Sequence, residues 1–235
     1  MNKTIVSFGD SFILGSELPN NNNGSKAWPG LIAQELGCNY KTYAVAGCGN
    51  DHIARQIYSY FASSPIENTL AVINWTWITR WDFYVDEDFS QWTTLGESCV
   101  PDKLSWINDE NKSNRMLDFY KDFGQSKLWN KFRNLQTIMA VQSYLKEKNI
   151  QNIQTYMDYD LLENPVVGFI PPYVKEIQSF VKPRLELFFQ NQNFLDWARD
   201  NNFPITPHPG MHPIGNSHIE ASKLWKSRFH NALLA

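Results

Sequence analysis

Apolar and β-branched residues first gather in Thr4–Phe8 (TIVSF) and stop at Gly9, the pattern of a buried strand running into a tight turn. The polar, Asn-rich stretch Pro19–Lys26 reads as a loop. From Trp28 to Leu36 apolar residues recur at helical spacing, and Gly37 stands where a helix-ending glycine belongs. Tyr40–Ala46 (YKTYAVA) reads as a second strand that ends at Gly47. Asn50–Phe61 has a helical pattern, with Asn50 or Asp51 at its N-cap. Thr69–Trp75 (TLAVINW) is almost continuously apolar, as a central parallel strand should be. Strand and helix therefore alternate through the first third, which predicts an α/β fold on a parallel sheet. In such sheets functional groups collect at the C-terminal ends of the strands.

The rhythm breaks between about Thr79 and Gly124, a stretch rich in Trp, Asp, Ser and Asn with weak periodicity. It reads as a partly irregular insertion, a lid or a partner surface. Helix Lys127–Lys148 and strand Ile150–Met157 follow, then a Pro-containing connection, ENPVVGFIPPYV. Phe194–Asn201 reads as a short helix, Phe203–Thr206 as the last strand, and Ile214–Leu234 as a final helix entered after Pro213. With 235 residues the chain forms one core, and a single domain over 1–235 with an insertion at about 79–124 is expected.

Composition narrows the function. The formal net charge is −3, without the basic excess of a nucleic-acid partner. Cys38, Cys48 and Cys99 lack metal-ligand spacing, so neither a disulfide framework nor a zinc knuckle is expected. The apolar run at the N-terminus is too short for a signal peptide or a membrane span, so the expected setting is cytoplasmic or virion-associated, with no membrane partner. Nine Trp, ten Tyr and fifteen Phe fill a core and leave rings to line a cleft.

Two positions carry the candidate chemistry. Ser11 follows the first strand in a Gly9-Asp10-Ser11 turn, where its hydroxyl can face a cleft and its backbone N–H can meet an oxyanion. A serine nucleophile needs a base, usually histidine. His212 stands in HPGMHPIGNSHIEASKLW, ahead of the final helix and held by Pro213. His208 and His218 read as structural or surface residues, and His52 and His230 as helical ones.

Gly9-Asp10-Ser11-Phe12 together with His212-Pro213 resembles the SGNH (GDSL-type) hydrolase family, and the chain follows its motif order from end to end. The resemblance implies a three-layer α/β/α flavodoxin-like fold with about five parallel strands. It also implies a serine esterase that cleaves small acyl esters through an acyl-enzyme, with O-acetyl groups on carbohydrate as the leading substrate class. Neither metal nor organic cofactor is implied. Gly47 matches the family's glycine after the second strand, which donates to the oxyanion. After the third strand the family has Gly-x-Asn-Asp, whereas this chain has Asn74-Trp75-Thr76-Trp77, so Thr76 takes the asparagine's place and Asn74 the glycine's. Three residues before the histidine the family has aspartate, and here stands Pro209. His208 and Asp158 are the candidates for a third catalytic member. The stretch Trp75, Thr76 and Arg80 and the His-Pro-rich loop look most like members found in bacteriophage genomes.

Two alternatives compete. The altered motifs and the Trp-rich insertion also suit a weak or inactive SGNH-like module that binds glycan or protein. A metal hydrolase using His208, His212 and His218 is opposed by Pro209, Gly210 and Pro213, which prevent the helix that would align the first two. Phosphate-cradling and dinucleotide-binding glycine patterns are absent.

Overall fold

The computed structural model describes residues 3–84, 92–96, 110–163, 170–188, 191–207 and 211–234. Along the chain run strand β1 (Thr4–Phe8), helices α1 (Ser11–Leu14) and α2 (Trp28–Glu35), strand β2 (Asn39–Thr42), helix α3 (Asn50–Ser63) and strands β3 (Thr69–Trp75), β4 (Trp81–Tyr84) and β5 (Trp92–Leu95). Helices α4 (Glu110–Phe123) and α5 (Lys127–Glu147), strand β6 (Gln151–Tyr156) and helices α6 (Pro172–Val181), α7 (Phe194–Asp200) and α8 (Ser217–Leu234) complete it. Four strands form a parallel sheet in the order β2-β1-β3-β6. The sequence expectation of about five strands is met by four plus a single parallel bridge between Thr155 and Glu186 beside β6. The expected last strand, Phe203–Thr206, does not join the sheet; its Ile205 makes an antiparallel bridge with Pro213 instead. The second strand is Asn39–Thr42 rather than Tyr40–Ala46; beyond it the Tyr43 and Val45 amides still donate to the Ser7 and Gly9 carbonyls as the chain runs on to the turn that carries Gly47.

Side chains alternate across a strand, so β1 and β3 feed two cores. Val6, Phe8, Ala71, Ile73 and Trp75 pack under α3, α5 and α6, while Ile5, Leu70 and Val72 pack under α2, α7 and α8. All seven residues of β3 are buried, which explains its unbroken apolar run. The result is the three-layer α/β/α arrangement. From β1 the chain moves to β2 on one side and to β3 on the other. The C-terminal end of β1 is thus the point where the strand order reverses, and clefts form there.

The stretch expected to be a partly irregular insertion contains ordered elements at Trp81–Tyr84, Trp92–Leu95 and Glu110–Phe123, while 85–91 and 97–109 lie outside the described residues. β4 and β5 form an antiparallel hairpin, and Leu95, Leu117 and Tyr120 build a small third core with Trp81, Phe83 and Met116. The Asp82 carboxylate accepts from the Gly49 and His52 backbone amides, which fastens the hairpin to the N-terminus of α3. Helix α6 begins inside the stretch that the prolines predict as a connection; Pro172 is its first residue, where a missing N–H costs nothing. Among the described residues no helix is long and apolar enough to cross a membrane.

Candidate active site

Gly9 lets the chain turn sharply out of β1, since a Cβ there would lie 2.6 Å from Ile13 Cγ2 and 2.9 Å from the Asn74 carbonyl oxygen. Asp10 caps α1 by accepting from the Phe12 amide at 3.0 Å. Ser11 is the first residue of that short helix and is nearly buried. Its Oγ lies 2.6 Å from His212 Nε2, so the two residues singled out in sequence meet in space.

His212 is held by its own backbone. Its amide donates to Thr206 Oγ1 at 2.8 Å, and its carbonyl accepts from the Thr206 amide at 2.9 Å. The segment that fails to join the sheet therefore clamps the histidine loop. The imidazole rests against Phe12, with ring centroids 4.9 Å apart, and Phe12 in turn meets Trp77 at 5.2 Å. Burial pushes the His212 imidazole below its ordinary value, although Asp10 and Glu17 pull the other way. The ring is therefore neutral near pH 7 and able to take a proton.

The far ring nitrogen, Nδ1, is buried and makes no hydrogen bond among the described residues. Glu17 Oε1 stands 3.5 Å away, an ion-pair distance rather than a formed hydrogen bond. Asp158, one candidate for the third member, is occupied elsewhere. Its two oxygens accept from the Ile78 and Asp160 amides, and among the described residues Glu17 is the carboxylate within 4.0 Å of His212. His208, the other candidate, lies outside the described residues. Glu17 was missed because it follows Ser11 by six residues, in a loop with no periodicity to mark it.

The expected oxyanion donors differ in how much of their hydrogen bonding is already used. Gly47 has φ 78°, with open space where a side chain would stand. Its N–H and that of Ser11 have no protein partner among the described residues. The next residue, Cys48, donates its thiol to the Gly9 carbonyl at 3.4 Å and ties this turn to the nucleophile turn. Asn74 uses Oδ1 to accept from Thr155 at 2.7 Å, which leaves its Nδ2 without a protein partner among the described residues. Thr76 is fully buried; its hydroxyl donates to Asp10 Oδ2 at 2.7 Å and its amide to Asn50 Oδ1 at 2.8 Å. Both donors of Thr76 are thus used within the protein.

Below the nucleophile turn lies a buried charge network that sequence reasoning did not assemble. Arg80 pairs with Asp10 at 3.0 Å through Nη1, which also donates to the Cys48 carbonyl at 3.0 Å and to Thr76 Oγ1 at 2.7 Å. Its guanidinium lies 4.9 Å from the Trp77 ring centre. The Thr76 and Arg80 spacing noted in the sequence is therefore the spacing of two partners of one carboxylate. His218 of α8 is committed to packing, its Nδ1 accepting from the Trp28 amide at 3.2 Å. Among the described residues no three His, Cys, Asp or Glu side chains are grouped as metal ligands.

No protein-family model and no curated protein matches this chain. Solved structures do. A lipolytic protein of the G-D-S-L family from Veillonella parvula is 12% identical over 97% of this chain and 98% of its own, with a TM-score of 0.52. TesA is 13% identical over 98% and 99%, also with a TM-score of 0.52. At these identities the likeness is one of fold, and it extends over the whole length of both partners.

Proposed function

We propose that this chain is a serine hydrolase of the SGNH type that cleaves acyl esters. The observation that carries the reading is the 2.6 Å contact between Ser11 Oγ and His212 Nε2, at the C-terminal end of the sheet's switch-point strand. The lipolytic protein from Veillonella parvula that shares its fold supports the same reaction class.

The chemistry follows from the placement. Ser11 Oγ attacks the ester carbonyl carbon while His212 Nε2 takes the hydroxyl proton. The carbonyl oxygen becomes an oxyanion, for which the N–H groups of Ser11 and Gly47 and the Nδ2 of Asn74 are the available donors. Each well-aimed donor lowers the barrier by roughly 3 kcal/mol. Thr76 serves instead to bind Asp10, keeping the turn rigid. Collapse of the intermediate breaks the carbon–oxygen bond to the alcohol, which leaves with the proton held by His212. Water then attacks the acyl-enzyme and gives its proton to the same nitrogen; the bond from the acyl carbon to Ser11 Oγ breaks, the acid leaves, and His212 returns the proton to Ser11 Oγ. The residues supply nucleophile, base and donors from the chain itself.

The substrate class proposed is small acyl esters, with O-acetyl groups on carbohydrate first. Turnover of p-nitrophenyl acetate, butyrate and octanoate, with acetate release from acetylated sugars, tests it. Acetyl substrates should be cleaved fastest, and Ser11→Ala should lower the rate by about 10⁴-fold or more, leaving only the residual contribution of the oxyanion donors. If no ester is cleaved above the Ser11→Ala rate by folded protein, the chain is an SGNH-like binding module instead. The depressed His212 pKa sets the pH dependence. The base must be neutral, so kcat/KM should rise with pH through a midpoint below 6.5, the ordinary histidine value. A midpoint above 6.5 contradicts the buried-base geometry.

A further inference from the structure

We propose that Glu17 is the positioning carboxylate of His212, taking the part of an aspartate that does not stand three residues before the histidine; this rests on the hydrolase reading above. A general base works only if the correct ring nitrogen carries the proton. With Nδ1 protonated, the Nε2 lone pair faces Ser11, and a carboxylate at Nδ1 both selects that tautomer and stabilises the imidazolium formed during attack. Here Nδ1 is buried and lacks a hydrogen-bond partner among the described residues, and the Glu17 carboxylate stands opposite it at 3.5 Å. A buried N–H left without a partner is costly, so a short closing movement of Glu17 is favourable.

The loop that carries Glu17 is built for this place. Helix α1 ends at Gly15 in a left-handed conformation, φ 68°, and the Gly15 and Ser16 amides both return to the Ser11 carbonyl. The Leu18 amide closes onto the Gly15 carbonyl at 3.1 Å. Asn21 Nδ2 then fixes the Leu14 and Gly15 carbonyls, each at 2.7 Å. Glu17 is therefore held on the same turn system as the nucleophile, and its side chain is about half exposed, 47%. The remaining carboxylates near the site are committed. Asp10 is bound to Arg80, Thr76 and the Phe12 amide, and Asp158 to two backbone amides. The charged groups acting on His212 are Asp10 on the nucleophile turn, Arg80 after β3 and Glu17, with His218 of α8 also within electrostatic reach.

Glu17→Gln and Glu17→Ala, compared with wild type, test the assignment. Both should fold with thermal midpoints close to wild type, because the side chain is half exposed. For p-nitrophenyl acetate kcat should fall about 10- to 100-fold with KM little changed. Loss of a fully buried triad carboxylate costs ~10⁴-fold, and solvent screening of Glu17 makes its share smaller. Removing the negative charge should also move the acid limb of kcat/KM to lower pH, which a merely structural residue would not do. NMR titration of His212 should show the same downward movement without any turnover. Unchanged kcat together with an unchanged His212 midpoint overturns the proposal. Should wild type prove inert while the NMR midpoint still falls in Glu17→Gln, the ion pair stands, and the hydrolase reading and with it the catalytic use of Glu17 fail.

Discussion

Asp10 is a fully buried carboxylate beside Ser11, and its environment decides whether Ser11 is held in place. Three donors satisfy it: the Phe12 amide, the Thr76 hydroxyl and Arg80. Removing one partner of a buried ion pair leaves an uncompensated charge, at a cost of about 3 to 5 kcal/mol. Arg80→Met should therefore lower the urea unfolding free energy by that order, and adding Asp10→Asn should recover part of the loss. A loss under about 1 kcal/mol would mean that the pair does not stabilise the turn. At this scale the sequence revealed Ser11 and His212, because turn chemistry and a Pro-fixed loop mark them. Arg80 was visible as part of a spacing but not as a partner of Asp10, since the pair spans 70 positions. Glu17 was not visible, because no local pattern distinguishes a loop glutamate that faces a ring from one that faces solvent.

β1, β3, α5 and α8 are legible to within a few residues, because an unbroken apolar run, the capping Ser126 or the entry at Pro213 marks them. The elements that are not legible carry misleading or distant signals. Helix α6 begins on two prolines, which signal a break to a local reading but start this helix. The hairpin β4–β5 depends on distant support, the Asp82 carboxylate on the amides at the start of α3. Packing between elements also sets the acid stability. His218 of α8 accepts from the first amide of α2, and burial pushes its imidazole down to about 3 from 6.5. Below pH 6.5 the unfolded chain takes up a proton that the folded one refuses, so stability falls as pH drops from about 6.5 toward 3. The slope from this residue is at most ~1.4 kcal/mol per pH unit. Urea unfolding between pH 7 and 4 should show a shallower slope in His218→Gln, which keeps an acceptor for the Trp28 amide. Equal slopes would contradict a buried neutral imidazole.

Over the whole molecule, the parallel sheet brings together residues that lie 201 positions apart, Ser11 from the first turn and His212 from the last loop. The fold class was readable in the alternation of the first third, and the reversal of strand order at β1 explains why Ser11 stands at a cleft. The sheet's far edge was less readable, because the segment beside β6 pairs through one bridge at Glu186, too short to form a ladder although Leu185 and Leu187 flank it. A site assembled from both chain ends exists only in the folded protein, so its reactivity should vanish on unfolding. The most direct measurement is reaction with a fluorophosphonate, followed by intact mass and peptide mapping. The account requires one phosphonyl group on Ser11 of the native protein, none in Ser11→Ala or in urea, and labelling slowed about 100-fold or more in His212→Ala. Native protein that takes up no label, or takes it up at another residue, contradicts it.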